Sequence, residues 1–156
     1  MTPASAPHTA PNPTPNPADD KLAAFQSLWE ERRAGRPLPE RRDFQVEDFR
    51  PWLGHVCITR LEPETGRCRM TLCGTAAAEY FGVDLTGKLI DDVFPQPRFG
   101  WLFEMYRECE RTRRPVSRTT PPFTYEGTYR TLKRVLLPCG TGERVDTFLL
   151  CIYAVR

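Results

Sequence analysis

The chain has 156 residues, of which 40% are hydrophobic, and a formal net charge of +2. This length allows one domain with a single core, and a charge so close to neutral argues against a nucleic-acid-binding protein. The sequence contains neither a run of about 18 apolar residues nor a basic, apolar leader, so we expect a cytoplasmic protein without membrane partners.

Residues 1–18 are predicted to form a disordered, proline-rich tail. The stretch 2–18 contains six prolines and no aliphatic side chain larger than alanine, so it cannot bury enough apolar surface to offset its ordering entropy. Residues 19–156 are predicted to form a single domain, which begins with a flanking helix at 19–35.

The flanking helix carries one apolar stripe. Asp19 or Asp20 is placed to cap it, and Gly35 is placed to end it. Helical spacing predicts that four of its side chains share a face: Leu22, Phe25, Leu28 and Trp29. Such a stripe needs a partner surface, which is either the chain's own sheet or a second copy of the helix.

The remaining sequence alternates between strand and helix patterns. Strands are predicted at 55–62, 67–74, 116–124, 129–138 and 144–155. Short helices or turns are predicted at 75–81 and 88–94, and a longer helix at 99–114, whose apolar stripe contains Leu102, Met105, Tyr106 and Cys109. In 67–74, simple alternation places Cys68, Met70 and Leu72 on one face. These elements predict an α+β fold with a five-stranded antiparallel sheet and helices on one face.

Three segments carry a resemblance to a known family. They are RPLPERRDFQVEDFRPWLGHV (36–56), CGTAAAEYFGVDLTGKLIDDVF (73–94) and RVLLPCGTGERVDTFL (134–149). With the order of elements, they make the chain similar, over roughly residues 22–155, to a bacterial family of short, stand-alone PAS-type proteins. The resemblance implies a PAS-like sheet with short helices and one longer helix on one face, plus an N-terminal flanking helix.

The resemblance also implies a cavity and a way of pairing. The expected cavity walls are Met70, Leu72, Tyr80, Phe94, Trp101, Met105, Tyr106 and Leu149. These side chains either fill the core or enclose a small apolar ligand. PAS-type domains commonly pair through a flanking helix, so a homodimer through Leu22, Phe25, Leu28 and Trp29 is expected, with folding of this helix onto its own sheet as the alternative.

No cofactor or metal is expected. The two histidines are His8 in the tail and His55 at a strand start, and the long helix has none to ligate a haem. The Asn-Cys-Arg-Phe-Leu-Gln helix of flavin photosensors is not present. The six cysteines form no C-x-x-C pair or zinc-binding pattern, and most lie in apolar runs, where reduced core thiols are expected rather than a redox role.

Catalysis and nucleic-acid binding find little support in the sequence. Glu126 and Asp146 are candidate acid–base carboxylates for an isomerase-like site, but no nucleophile–base set accompanies them. Basic stretches lie at 111–118 and 129–134. Because Glu104, Glu108 and Glu110 lie on the long helix and the net charge is near neutral, we interpret these stretches as solvated faces rather than a phosphate-binding surface.

The sequence therefore predicts a signalling or regulatory module and not an enzyme. Its output would pass through dimerisation or a separate partner protein. The alternative is a sensor that binds a small ligand in an apolar pocket, and a small isomerase-like enzyme comes third.

Overall fold

The computed structural model describes residues 17–95, 97–125 and 128–155, with backbone alone at 121–125 and 128–130. Of the predicted tail, residues 1–16 lie outside the described residues. Pro17 and Ala18 belong to the first helix, and Ala18 is buried. The first helix therefore begins two residues before the predicted start of the flanking helix at Asp19.

Five antiparallel strands form one sheet, as the sequence predicts. They are β1 (Val56–Leu61), β2 (Cys68–Cys73), β3 (Val116–Tyr125), β4 (Thr128–Thr141) and β5 (Arg144–Val155). Their spatial order is β2-β1-β5-β4-β3, so the first and last strands in sequence are neighbours in the centre of the sheet. The helices are α1 (Pro17–Arg33), α2 (Thr75–Phe81), α3 (Ile90–Val93) and α4 (Gly100–Thr112), with 3₁₀ segments at Arg41–Asp43 and Val46–Trp52.

The helices cover both faces of the sheet. On β4, Arg134 lies against Trp101 of α4, whereas the adjacent Lys133 forms an ion pair with Asp19 of α1 at 2.7 Å. Successive strand residues point to opposite faces, so α4 and α1 lie on opposite sides of the sheet. We call the side of Arg134 and α4 the cavity face, and the side of α1 the outer face.

The apolar stripe of α1 packs within the same chain. Phe25 and Trp29 are almost completely buried, and the Trp29 indole Nε1–H donates a hydrogen bond of 2.7 Å to the Pro138 carbonyl oxygen of β4. Phe25 meets the Trp52 ring edge to face at 5.1 Å between ring centroids. Leu22 and Leu28 are partly buried against the same core. The stripe is thus folded onto its own sheet, which is the alternative to the expected dimer contact.

A β-bulge in β2 corrects the predicted orientation of Leu72. Thr59 pairs with Met70, but Ile58 pairs with Leu72, so Thr71 is an extra residue between the two pairs. The bulge reverses the alternation: Met70 is buried on the cavity face, while Leu72 is on the outer face and 45% exposed. The prediction that Met70 and Leu72 share a face was therefore wrong.

Two glycines govern the path from β2 into the cavity-face helices. A Cβ at Gly74 would overlap the Gly54 carbonyl oxygen, so only glycine allows β2 to leave the sheet at this close approach. Gly82 adopts φ 78° and ends α2 in the left-handed conformation. The chain then returns to β2, where the Gly87 N–H donates to the Met70 carbonyl at 2.7 Å and the Met70 N–H to that of Lys88 at 2.9 Å.

The DLTGK segment, residues 84–88, therefore protects an edge strand. The Asp84 carboxylate accepts hydrogen bonds from the Thr86 N–H (2.9 Å) and hydroxyl (2.7 Å), which brace the turn. These bonds to Thr86 lower the pKa of Asp84. The segment after this turn satisfies backbone groups of β2 that would otherwise be open to pairing with another chain.

Replacing Trp29 with phenylalanine tests the attachment of α1. Trp29→Phe keeps an aromatic ring but removes the buried donor to Pro138, so we expect the free energy of unfolding to fall by about 2–3 kcal/mol in urea denaturation. The matched control is Trp52→Phe, which loses a bond of the same length to the Lys21 carbonyl in a less enclosed position. A loss for Trp29→Phe no larger than for the control would contradict this attachment.

Candidate ligand cavity

A small cavity lies between the cavity face of the sheet and helices α2–α4. Its volume is about 20 Å³, close to the space that one water molecule requires. Among the residues that the structure describes, the lining side chains are aromatic or aliphatic except for the cation Arg134. They are Met70, Phe81, Leu85, Ile90, Phe94, Phe99, Trp101, Leu102, Tyr106, Arg134 and Leu150.

The structure brings half of the expected wall residues to this cavity. Met70, Phe94, Trp101 and Tyr106 line it.

The other four expected wall residues lie elsewhere. Leu72 is on the outer face, as described above, and so is Leu149, which pairs with Ile58 and Leu137 across the sheet. Tyr80 lies near His55, with 5.9 Å between the ring centroids. Met105 is buried beside the cavity and faces the groove between α4 and β3.

Seven of the eleven described wall residues were not predicted from the sequence, and Arg134 is the charged one among them. It was assigned to a solvated basic stretch, but its side chain is only 2% exposed, so that assignment was wrong. The alternation of β4 could have indicated the burial of Arg134. Arg134 is in phase with Leu132 and Leu136, which are both fully buried. An arginine in phase with core leucines on a central strand indicates an inward-facing cation.

The Arg134 guanidinium has few polar contacts. Its Nη2–H donates to the Thr120 hydroxyl at 3.2 Å, and that hydroxyl donates to the Leu132 carbonyl at 3.1 Å. The indole ring of Trp101 lies over the guanidinium, 5.3 Å from its central carbon. Nε has no hydrogen-bond partner within the part of the chain that the structure describes, and no carboxylate of these residues forms an ion pair with Arg134.

Burial lowers the pKa of Arg134 to about 10, so the side chain remains charged at neutral pH. Since this pKa is lower in the folded chain than in the unfolded chain, the charged form costs stability at neutral pH. The cost is relieved only as the pH rises through about 10, where the folded chain loses the proton before the unfolded chain does.

Tyr106 supplies a neutral polar group at the cavity wall. Its hydroxyl is 3.3 Å from the Thr59 hydroxyl, and its ring meets Phe148 edge to face at 5.0 Å between centroids. Burial raises the pKa of Tyr106, so the phenol is uncharged at neutral pH and can donate or accept a hydrogen bond.

The cavity does not fit a flavin or a haem. Phe81, Phe94, Phe99 and Trp101 form a chain of ring contacts with successive centroid distances of 5.9, 5.1 and 6.5 Å, and these rings occupy the space under the helices. Sites for groups of that size usually enclose about 300–1,000 Å³. His55 is not directed into the cavity: its Nδ1 is 2.9 Å from the Ile152 carbonyl oxygen, and its ring stacks on Tyr153 at 3.9 Å.

The six cysteines are free thiols in the structure. Burial raises the pKa of Cys68 and Cys151 to about 12 and also raises the pKa of Cys109 and Cys139. Cys73 differs, because a hydrogen bond from the Cys57 thiol, its cross-strand neighbour, lowers its pKa.

The other residues considered for chemistry do not gather at the cavity. Asp146 is exposed at the start of β5, where it accepts a hydrogen bond from the Thr147 hydroxyl, and Glu126 lies outside the described residues. Within the described ranges, no cluster of three or more histidine, cysteine, aspartate or glutamate residues is arranged to hold a metal ion. No helix among them is long and apolar enough to cross a membrane.

Arg134→Met tests whether the buried charge lacks an internal partner. Methionine has a similar length without the charge, so we expect the free energy of unfolding at pH 7 to rise by about 1–3 kcal/mol in urea denaturation. The control Arg111→Met, at an exposed position on α4, should change it by less than about 0.5 kcal/mol. A loss of stability in Arg134→Met would show that the guanidinium has a stabilising partner.

Comparison with known proteins places this architecture in a family. A light-oxygen-voltage domain studied with a flavin analogue is similar with a TM-score of 0.54 and 13% identity, covering 71% of this chain and 84% of that one. A sensory box sensor histidine kinase from Vibrio cholerae has a TM-score of 0.50 and 14% identity, with coverage of 65% and 81%. The light-oxygen-voltage protein of Rhodobacter sphaeroides has a TM-score of 0.52 and 10% identity, with coverage of 88% and 68%.

These identities establish a shared fold alone. No curated protein matches the sequence. The family model described as PAS domain matches residues 18–151, which include α1 from its second residue, β1 to β4, most of β5 and every described residue of the cavity wall. The chain therefore belongs to the PAS domain family.

Proposed function

We propose that this PAS protein is a sensor module that transmits the state of its cavity through α1 to a second polypeptide. A sensory role is the general function of PAS domains, and the structural neighbours include a sensor histidine kinase. The direction of transmission and the identity of the recipient are specific to this proposal.

The observation that carries the proposal is the arrangement of β4 between two layers. Arg134 and Leu136 face the cavity, whereas Val135 and Leu137 face α1. Two residues after Arg134 along the cavity face, the carbonyl of Leu136 accepts a hydrogen bond from the Cys109 thiol of α4 at 3.7 Å. Two residues later, the carbonyl of Pro138 accepts the bond from Trp29. A displacement of β4 at the cavity therefore changes contacts of both helices.

The surface next to α1 offers a contact for the second polypeptide. The 3₁₀ segment Val46–Trp52 is tied to α1 by an Arg32–Asp48 ion pair at 2.8 Å and by the Lys21 ammonium, which donates to the Pro51 carbonyl at 2.9 Å. At either end of this segment, Val46 and Leu53 are 76% and 80% exposed. Exposed apolar side chains of this size are suited to a protein contact.

This surface also changes the expected mode of dimerisation. Phe25 and Trp29 are buried in the chain's own core, so a homodimer would use the solvent-facing side of α1 together with Val46 and Leu53. Light scattering over a range of protein concentrations distinguishes a second copy from a different partner protein: self-association supports the first, and a constant monomer mass supports the second.

The alternative function is a sensor that binds a small ligand in the cavity. It is compatible with transmission through α1, and the buried charge of Arg134 in the cavity favours it. The third candidate, an isomerase-like enzyme, receives no comparable support, because Asp146 is exposed and no described carboxylate forms an ion pair or hydrogen bond with Arg134.

Hydrogen exchange in a cavity variant tests the transmission. Arg134→Met changes the cavity face of β4 without touching α1, so we expect the amide protection of residues 17–33 to change by about threefold or more. β2, apart from its cavity-wall residue Met70, serves as the internal reference because β1 and β5 separate it from β4 and a change in global stability affects it equally. The matched control variant is Arg111→Met, which alters an exposed position of α4.

Two results would count against transmission through α1. One is an α1 whose protection is unchanged in Arg134→Met. The other is an α1 whose protection changes only as much as that of β2, since this would report global stability rather than a local connection.

A further inference from the structure

Among the residues that the structure describes, no countercharge accompanies the charge that Arg134 presents in the cavity. Buried arginines are almost always paired, because removing a cation from water costs several kcal/mol unless an anion or a set of acceptors replaces the lost hydration. Here one of five N–H donors reaches the Thr120 hydroxyl, and no described carboxylate pairs with the guanidinium. The buried Nε–H in particular has no partner among the described residues, so it is available to an acceptor that enters the cavity.

The guanidinium lies one side chain away from solvent. Trp101, whose ring covers it, is partly exposed. The same tryptophan and Thr120 also line a surface groove between α4 and β3, together with Glu104 and Met105. Trp101 and Thr120 thus stand between the inner cavity and this groove, and a change of the Trp101 rotamer would connect the two.

We propose that this cavity binds a small monocarboxylate with an apolar body, whose carboxylate pairs with Arg134 and displaces the Trp101 ring. The proposal rests on the sensor function above and names the class of its ligand. The planar guanidinium can pair with a carboxylate through two parallel hydrogen bonds. Apart from the Tyr106 phenol, the other wall residues are apolar, so they suit a hydrocarbon or aromatic body.

The chemistry of the wall selects a carboxylate over a phosphate. Arg134 is the single cation among the described wall residues, and one positive charge balances one carboxylate. A phosphate carries about −1.5 to −2 charges at neutral pH and three strong acceptor oxygens, so it would remain underpaired in this site. The present volume of about 20 Å³ limits the ligand to a compact molecule that gains its space from movement of Trp101.

The test measures binding of benzoate and butyrate to the full chain. Isothermal titration, thermal melting and tryptophan fluorescence are recorded at constant ionic strength, with benzamide and butyramide as neutral analogues of the same shape. We expect at least one of the two carboxylates at about 10 mM to raise the melting temperature by a few degrees and to change the tryptophan emission. The amides should bind about tenfold more weakly or not at all.

Variants of Arg134 test whether its guanidinium is responsible for carboxylate binding. In Arg134→Met, carboxylate affinity should fall by about tenfold or more. Arg134→Lys keeps the charge but loses the two parallel hydrogen bonds, so its affinity should lie between that of Arg134→Met and that of the parent. Arg144→Met, at an exposed position that lines neither the cavity nor the groove, should bind as the parent does. The melting curves without ligand show whether each variant is folded, and if Arg134→Met does not fold, Arg134→Lys and the amide comparison decide alone.

Four outcomes would overturn the proposal. They are no response to benzoate or butyrate at about 10 mM, equal binding of acid and amide, undiminished carboxylate binding in Arg134→Met, or inorganic phosphate that binds as tightly as the carboxylates. These outcomes are independent of hydrogen exchange in the ligand-free variants. Carboxylate binding without a response of α1 would support the ligand assignment and refute transmission through α1.

Discussion

Coverage of the central strands from both sides is the constraint on which the rest of this structure depends. Residues 147–152 of β5 are all buried, which requires apolar material above and below the sheet. Helices α2–α4 supply one layer and α1 the other. Each large side chain of the α1 stripe contributes about 2–3 kcal/mol by burial, and Phe25 and Trp29 are both almost fully inaccessible. A helix that appears to flank the domain in the sequence is thus part of its core.

The same constraint explains why the buried charge of Arg134 lowers the stability of the fold and why it indicates a function. A polar side chain on a strand with one solvated face can reach water. β4 lies between two helical layers, and the Arg134 side chain is buried beneath one of them. Thr120 and the face of Trp101 compensate for only part of the lost hydration. Polar residues that reduce stability in a core are commonly kept for function, and for this reason we place the proposed ligand beside Arg134.

The sequence was sufficient where local chemistry determines structure. The strand and helix order, the end of α2 at Gly82 and the buried stripe of α4 follow from periodicity and from glycine and proline positions, and the structure confirms them. Leu72 was misplaced because a bulge at Thr71 reverses alternation, and strand periodicity does not reveal an extra residue. Leu149 was misplaced because a strand buried on both faces is apolar at every position, so its faces cannot be distinguished by pattern. The burial of Arg134 and the docking of α1 depend on contacts between distant segments, which no local pattern records.

The attachment of α1 to its own sheet can be measured directly by solution NMR on a mixture of labelled and unlabelled protein. Nuclear Overhauser contacts between the Trp29 indole and Pro138 report the bond that holds the outer layer in place. Our account predicts that these contacts appear in the uniformly labelled protein and vanish when the spectrum is filtered for contacts between different chains. Their appearance in the filtered spectrum would show that α1 packs on a second copy, and their absence from both spectra would show that α1 is not docked on β4.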